Sequence, residues 1–195
     1  MSDFLHPGYL LIVVWVLWVI SWILAAVWSS RAVARPKLGE ELPSRLITVI
    51  GALLMTGRFQ LSSLPQLWGL SDIGAWLALA AVLVGIAFTW WARVTLGALW
   101  SGNVTRKEDH KIIDTGPYGL VRHPIYTGIL FALWATALFL GRIECLLGAA
   151  LMSIGFFLKA RLEESFLVAG LGEAAYADYK KRVPMLVPFV KGWGG

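Results

Sequence analysis

From Tyr9 to Trp28 the sequence reads YLLIVVWVLWVISWILAAVW, an apolar run whose only clearly polar side chain is Ser21. About 20 such residues in a helix match the ~30 Å hydrocarbon core of a bilayer. A helix satisfies every backbone polar group within its own segment, as lipid requires. The run is long for a signal-peptide core, and no Lys or Arg precedes it, so it reads as a span. Four more apolar stretches follow: Leu46 to Leu64, interrupted by Arg58 and Gln60; Ile73 to Leu96; Ile125 to Leu140; and Ile143 to Leu158. Only Gly141 and Arg142 separate the last two, which predicts a tight helical hairpin of slightly short spans. Of the 195 residues, 58% are hydrophobic and 15% charged. Soluble domains carry roughly 45–50% and about 25%. A chain of this size has no interior large enough to hide that excess.

The expected fold is therefore an all-α integral membrane protein with about five transmembrane helices. Pro36 and Pro43 fall in the polar loop after the first span, and Gly97 to Pro124 is polar and rich in turns. The tail from Lys159 to Lys181 has a helical pattern, with Gly170 and Gly172 as a break and Pro184 and Pro188 as its end. Residues 1–96 form an N-terminal set of three spans, and 97–195 form a second half within one structural domain. Nearly all Lys and Arg lie after spans one and three and in the tail, so the positive-inside rule puts the N-terminus outside and the C-terminus in the cytoplasm.

The net charge of +5 comes from basic residues set between apolar runs, where they meet anionic headgroups, and nucleic acid is not an expected partner. Arg93, near the end of the third span, is expected to snorkel to the surface. Arg58, inside the second, is expected to face the bundle interior or to snorkel, with either a packing or a binding role. The single cysteine, Cys145, precludes an intrachain disulfide, and His6, His110 and His123 do not have a metal-ligand spacing. There is no G-x-S-x-G elbow and no strand–GxGxxG–helix unit, so neither an α/β-hydrolase site nor a Rossmann domain is available.

The remaining polar residues gather in three places: His110 to Tyr126, Arg161 to Glu164, and Tyr176 to Arg182. All three fall on the expected cytoplasmic side, a pattern that marks a site. In the first, HKIIDTGPYGLVRHPIYTG, Gly116-Pro117 and Gly119 force turns whose amides can hold a ligand. Pro124 suits a first helical turn, which sets Arg122 and His123 at a helix mouth attractive to an anion. The second holds Glu163 and Glu164, adjacent carboxylates that face different directions on a helix, suited to a sulfonium or an α-amino group. In the third, YADYKKRVPMLVPF, Arg182 is placed to hold a carboxylate or phosphate. Each group also has a plain structural reading, as interfacial pairs and basic patches at helix ends.

In order, LGALWSGNV, EDHKIIDTGPYGLVRHPIYTG, ARLEESFL and YADYKKRVPMLVPF resemble the isoprenylcysteine carboxyl methyltransferases, in a prokaryotic-type form, and the wider phospholipid methyltransferase group. The resemblance runs from Leu96 to Phe189. It implies a helical membrane fold with a cytoplasmic-side pocket in the C-terminal half that binds S-adenosylmethionine. Carried onto this sequence, the implied cofactor contacts are His110, Lys111, Ile113, Tyr118, Val121, His123, Tyr126, Glu163 and Glu164. Arg182 is implied on the substrate side. The catalytic set is then Arg182, Glu163 and Glu164, with no metal.

The expected function is methyl transfer from S-adenosylmethionine to an amphipathic, lipid-like acceptor, with the carboxylate of S-prenylcysteine first. A carboxylate nucleophile needs only a cation such as Arg182 to hold it. An amine, as in phosphatidylethanolamine, needs a proton acceptor such as Glu163 or Glu164. A small thiol is the other alternative within this chemistry. An NADPH-dependent sterol-type reductase would carry an asparagine-tyrosine pair after the RH, where this chain has Pro124-Ile125-Tyr126. A non-enzymatic membrane protein would account for the spans but not for the gathered polar segments.

Overall fold

The fold was taken from a computed structural model, which describes residues 6–28, 32–34, 36–56, 66–100, 106–107, 112–171 and 173–190. Six helices run through it: α1 (Pro7–Ala25), α2 (Leu38–Met55), α3 (Asp72–Leu96), α4 (Pro124–Leu140), α5 (Ile143–Leu171) and α6 (Glu173–Arg182). A short antiparallel ribbon pairs β1 (Ala32–Ala34) with β2 (Arg106–Lys107) and joins the segments that follow α1 and α3. The chain is a multi-pass membrane protein. α1, α3 and α5 are long and apolar enough to cross a bilayer, and α4 is apolar but shorter.

The helix boundaries follow local chemistry. The Ser71 hydroxyl accepts the Gly74 N–H at 3.2 Å and caps α3, with Asp72 in its first turn. α4 opens on Pro124 and closes on Gly141, whose left-handed φ of 63° turns the chain into α5. The segment after residue 65 covers that end: Leu67 N–H donates to the Gly141 carbonyl at 2.7 Å, and Trp68 Nε1 donates to the Leu138 carbonyl at 3.0 Å.

Two expectations need correction. α2 starts at Leu38 rather than Leu46 and ends at Met55, so Pro43 lies inside a helix and not in a loop. Its first turn is supported by the Glu40 carboxylate, which accepts the Lys37 N–H at 2.8 Å, and Glu40 and Glu41 face the positive helix end. Arg58 lies outside the described residues. α5 runs from its apolar stretch straight into the helical tail expected from Lys159 and continues unbroken to Leu171, carrying Glu163 and Glu164 past the apolar part of the helix. α5 ends at Leu171 and α6 begins at Glu173, and Gly172, part of the expected break, lies outside the described residues. Finally, Arg93 does not snorkel. It is fully buried and donates to backbone carbonyls.

Helices pair as α2 with α5 and α3 with α4, while α4 meets α5 and α1 leans on α3. Small residues set both main pairings, as lipid-embedded helices require for close approach. A Cβ on Gly85 would stand 2.7 Å from the Gly128 carbonyl oxygen, and one on Gly128 equally 2.7 Å from that of Gly85. Gly51 and Gly148 repeat the arrangement between α2 and α5, at 2.7 and 2.6 Å. Indole N–H groups bind α1 across the bundle: Trp15 Nε1 donates to Thr136 Oγ1 at 3.0 Å and Trp18 Nε1 to Thr89 Oγ1 at 3.1 Å. The end of α1, the starts of α2 and α4, the end of α3 and the polar end of α5 all meet at one end of this bundle.

Candidate functional site

At that end, the Gly116–Gly119 turn rests on the last turns of α3. A Cβ on Gly116 would lie 3.6 Å from both Thr95 Oγ1 and Trp91 Nε1, and the residue has a positive φ of 57°. The Tyr118 carbonyl accepts the Tyr179 hydroxyl at 2.7 Å, which fixes the turn to α6. The next residues pair with the chain after α6. Arg122 N–H donates to the Pro184 carbonyl at 2.8 Å and His123 N–H to that of Met185 at 3.1 Å. Thr127 Oγ1 adds a bond of 2.6 Å to the Leu186 carbonyl. Arg122 and His123 are thus held at the mouth of α4 by backbone as well as side-chain contacts.

Glu164 on α5 is the centre of a charged network. It accepts Arg122 Nε at 2.7 Å and Nη2 at 3.3 Å, lies 3.1 Å from His123 Nε2, and pairs with Lys180 Nζ at 3.3 Å. The Arg122 Nη1 donates on to the Val183 carbonyl at 2.7 Å. Glu163, one residue earlier, accepts the Tyr126 hydroxyl at 2.6 Å and stands 3.5 Å from His123 Nδ1. The two carboxylates differ in exposure: the Glu164 side chain is 4% exposed and that of Glu163 20%. The His123 ring stacks parallel to Tyr126 at 5.6 Å, and Phe156 packs on Tyr126 at 5.0 Å. Lys159 Nζ stands 5.3 Å from the centre of the same phenol ring.

Both imidazole nitrogens of His123 face carboxylates, a geometry only the doubly protonated ring satisfies by donation. Burial works against that charge, but the bonds to Glu163 and Glu164 and their negative charges outweigh it and hold the pKa above its ordinary value. Burial first, then neighbouring carboxylates, pushes the Tyr118 and Tyr176 phenols well up, so both stay neutral.

The network joins residues of all three polar segments. Among the expected cofactor contacts, His123, Tyr126, Glu163 and Glu164 touch one another. Tyr118 and Val121 are buried in the adjoining loop, with Ile113 packed on the same core. His110 and Lys111 lie outside the described residues. Arg182 stands apart from this group. Its side chain is 52% exposed and binds Asp178 at 2.9 Å and Asp114 at 3.2 Å, so it fastens α6 to the segment before the Gly116 turn. Two participants escaped sequence reasoning. Lys180 was hidden in a basic run that reads as solvated. Glu41 lies on α2, is buried and pairs with Arg45. The early start of α2, which brings Glu41 to this end, was the missing signal.

Comparison with known proteins agrees with the sequence motifs. Residues 76–169 match the isoprenylcysteine carboxyl methyltransferase (ICMT) family. A protein-S-isoprenylcysteine O-methyltransferase of Xenopus laevis is 34% identical over 131 residues, covering 66% of this chain and 44% of that protein. A methanethiol S-methyltransferase 2 of Bradyrhizobium diazoefficiens is 47% identical over 73 residues, covering 36% of this chain and 26% of its own length. The solved structure of a eukaryotic intramembrane Ras methyltransferase, ICMT, superposes with a TM-score of 0.51 at 23% identity, over 83% of this chain and 56% of that one. The two shapes therefore share a fold. The chain spans about half the length, or less, of these relatives.

Proposed function

We propose, on the premise that residues 76–169 carry the pattern of the isoprenylcysteine carboxyl methyltransferase family, that this chain is a membrane methyltransferase using S-adenosylmethionine. The observation that carries the reading is the meeting of Arg122, His123, Tyr126, Glu163 and Glu164 at one end of the bundle, with bonds of 2.6 to 3.3 Å. The donor set suits the cofactor. Its amino-acid end is a zwitterion and its sulfonium a cation, and the site offers both signs in one place. Arg122, Lys180 and His123 are the cations; Glu163 and Glu164 are the carboxylates. When bound, the cofactor supplies a methyl group on a sulfonium, which needs no protonation to leave.

The residues divide the remaining work. Glu164, locked by three cations, holds the loop, α5 and α6 together. Glu163, the more open carboxylate, is the one placed to meet a cationic ligand group. Tyr126 donates to Glu163 and keeps it aimed, while His123 carries the charge that lets two adjacent carboxylates stay ionised. Arg182 receives the anionic head of the acceptor, and Asp114 and Asp178 hold its guanidinium ready. Alignment of donor and acceptor and exclusion of water are the main sources of acceleration for such a reaction. The first acceptor to expect is the carboxylate of a prenylcysteine-like amphiphile arriving from the bilayer. A small thiol is the second, favoured by the 47% identity to the methanethiol enzyme. The site end is then the cytoplasmic end.

Titration of the purified protein with S-adenosylhomocysteine tests the cofactor, and transfer of labelled methyl to a prenylcysteine analogue, phosphatidylethanolamine or small thiols tests the acceptor. Saturable binding that His123→Ala abolishes is expected. Absence of binding to the wild-type protein would falsify the reading.

A further inference from the structure

Arg93 lies near the end of α3, apart from the charged network, and its surroundings are unusual for a cation in a membrane helix. It is 0% exposed. Its Nη1 donates to the Gly97 carbonyl at 2.7 Å, and its Nη2 donates to the carbonyls of Ala25 at 2.8 Å and Trp28 at 2.7 Å. These acceptors belong to two helix ends. α1 stops at Ala25 and α3 at Leu96, so the fork binds carbonyls at both helix ends and sits where two negative dipole ends converge. Its carbon centre lies 5.0 Å from the Trp28 ring and 4.5 Å from that of Trp100. A lysine cannot reproduce this, since it has neither the planar fork nor the stacking face.

What the fork fastens matters for the site. Trp100 leads into the segment that precedes the cofactor loop and packs edge-on against Trp22 of α1 at 5.7 Å. Trp100, Trp22, Ile113 and Tyr118 join one apolar cluster with Tyr126. The Gly116 turn stands on Trp91 and Thr95, the residues flanking Arg93 on α3. One helix end thus carries the α1 wall through Arg93 and the segment leading to Arg122 and His123 through the Gly116 turn.

We propose that Arg93 is a positioning residue for the methyl-transfer site, fixing α1 and Trp100 relative to the 116–123 segment by binding two helix ends at once. This rests on the methyl-transfer reading. Misplacement of reacting groups by about 1 Å costs on the order of 10²-fold in rate. Arg93→Lys and Arg93→Met therefore lower kcat/KM by about 10- to 100-fold, with kcat falling more than the affinity for S-adenosylhomocysteine. Arg93→Lys keeps its melting temperature within a few degrees of wild type. Spin labels on Val27→Cys and Leu120→Cys, in a Cys145→Ala background, report the geometry directly, and their distance distribution broadens when Arg93 is replaced. If Arg93→Met does not fold, Arg93→Lys decides alone. Wild-type kcat and KM in Arg93→Lys, or an unchanged label distance, overturns the proposal. Loss of activity in strict proportion to lost folded protein overturns it too. If the wild-type protein binds no S-adenosylhomocysteine while the label distance still responds to Arg93, the methyl-transfer reading fails and the clamp stands.

Discussion

At the scale of single residues, Glu163 and Glu164 are neighbours in unlike surroundings, one partly open and one buried. Glu164 neutralises Arg122, His123 and Lys180 in a buried place, so its removal leaves several charges unpaired. Breaking such a pair costs about 3–5 kcal/mol. Glu164→Ala should melt far below wild type and lose S-adenosylhomocysteine binding with it, as scanning fluorimetry and titration would report. Glu163→Gln keeps the Tyr126 contact and should leave the melting temperature nearly unchanged while weakening ligand binding roughly tenfold, the loss of one charge-assisted bond. His123 adds a pH dependence. Its folded pKa is raised above the unfolded value near 6.5. The stabilisation is therefore complete below that value and is lost as pH rises through the folded pKa. Melting temperatures should fall with rising pH above neutrality in the wild type, and His123→Asn should remove that slope. Which glutamate does which was not legible in the sequence, since adjacent identical residues have no pattern to separate them. That Arg122, His123 and the glutamates belong together was legible, because a membrane chain gathers charge only where partners are near.

At the scale of elements, the apolar runs located α1, α3 and α4 to within a few residues, because hydrocarbon length fixes helix length. They misplaced α2. It begins before the apolar stretch, and hydropathy is blind to that extension, whereas the helical pattern after Lys159 did carry α5 past Leu158. The Lys37–Glu40 contact and the unbroken Lys159–Leu171 segment carry those helices into the polar zone where the site lies. The crossings were not legible either, because a glycine in an apolar run does not announce its partner. Gly85 and Gly128 touch backbone to backbone. Gly128→Leu forces α3 from α4 and should cost at least about 1–3 kcal/mol. Its effect is read as loss of the monodisperse peak in size-exclusion chromatography, and Gly39→Leu, where a Cβ would meet nothing within 4 Å, is the control.

At the scale of the whole molecule, alternating loop charge makes a claim about topology. Lys37, Arg106 and Lys107 and the basic tail stand at the same end as the charged network. If that end is cytoplasmic, a fluorescent protein fused after Gly195 lights up in cells and an alkaline phosphatase in the same place stays silent. The reverse result would place the charged network at the other face of the membrane and overturn the cytoplasmic assignment proposed for it.

The pairing of residues 122–127 with 184–186 has a consequence for how the protein is made. Residues 184–186 follow α4 and α5 in the sequence, so they leave the ribosome after both helices. Until they arrive, Arg122 and His123 lack the carbonyls that hold them, and Glu164 lacks Lys180. The contacts that hold the mouth of α4 and the Glu164 network are thus completed only after α4 and α5 have both been made.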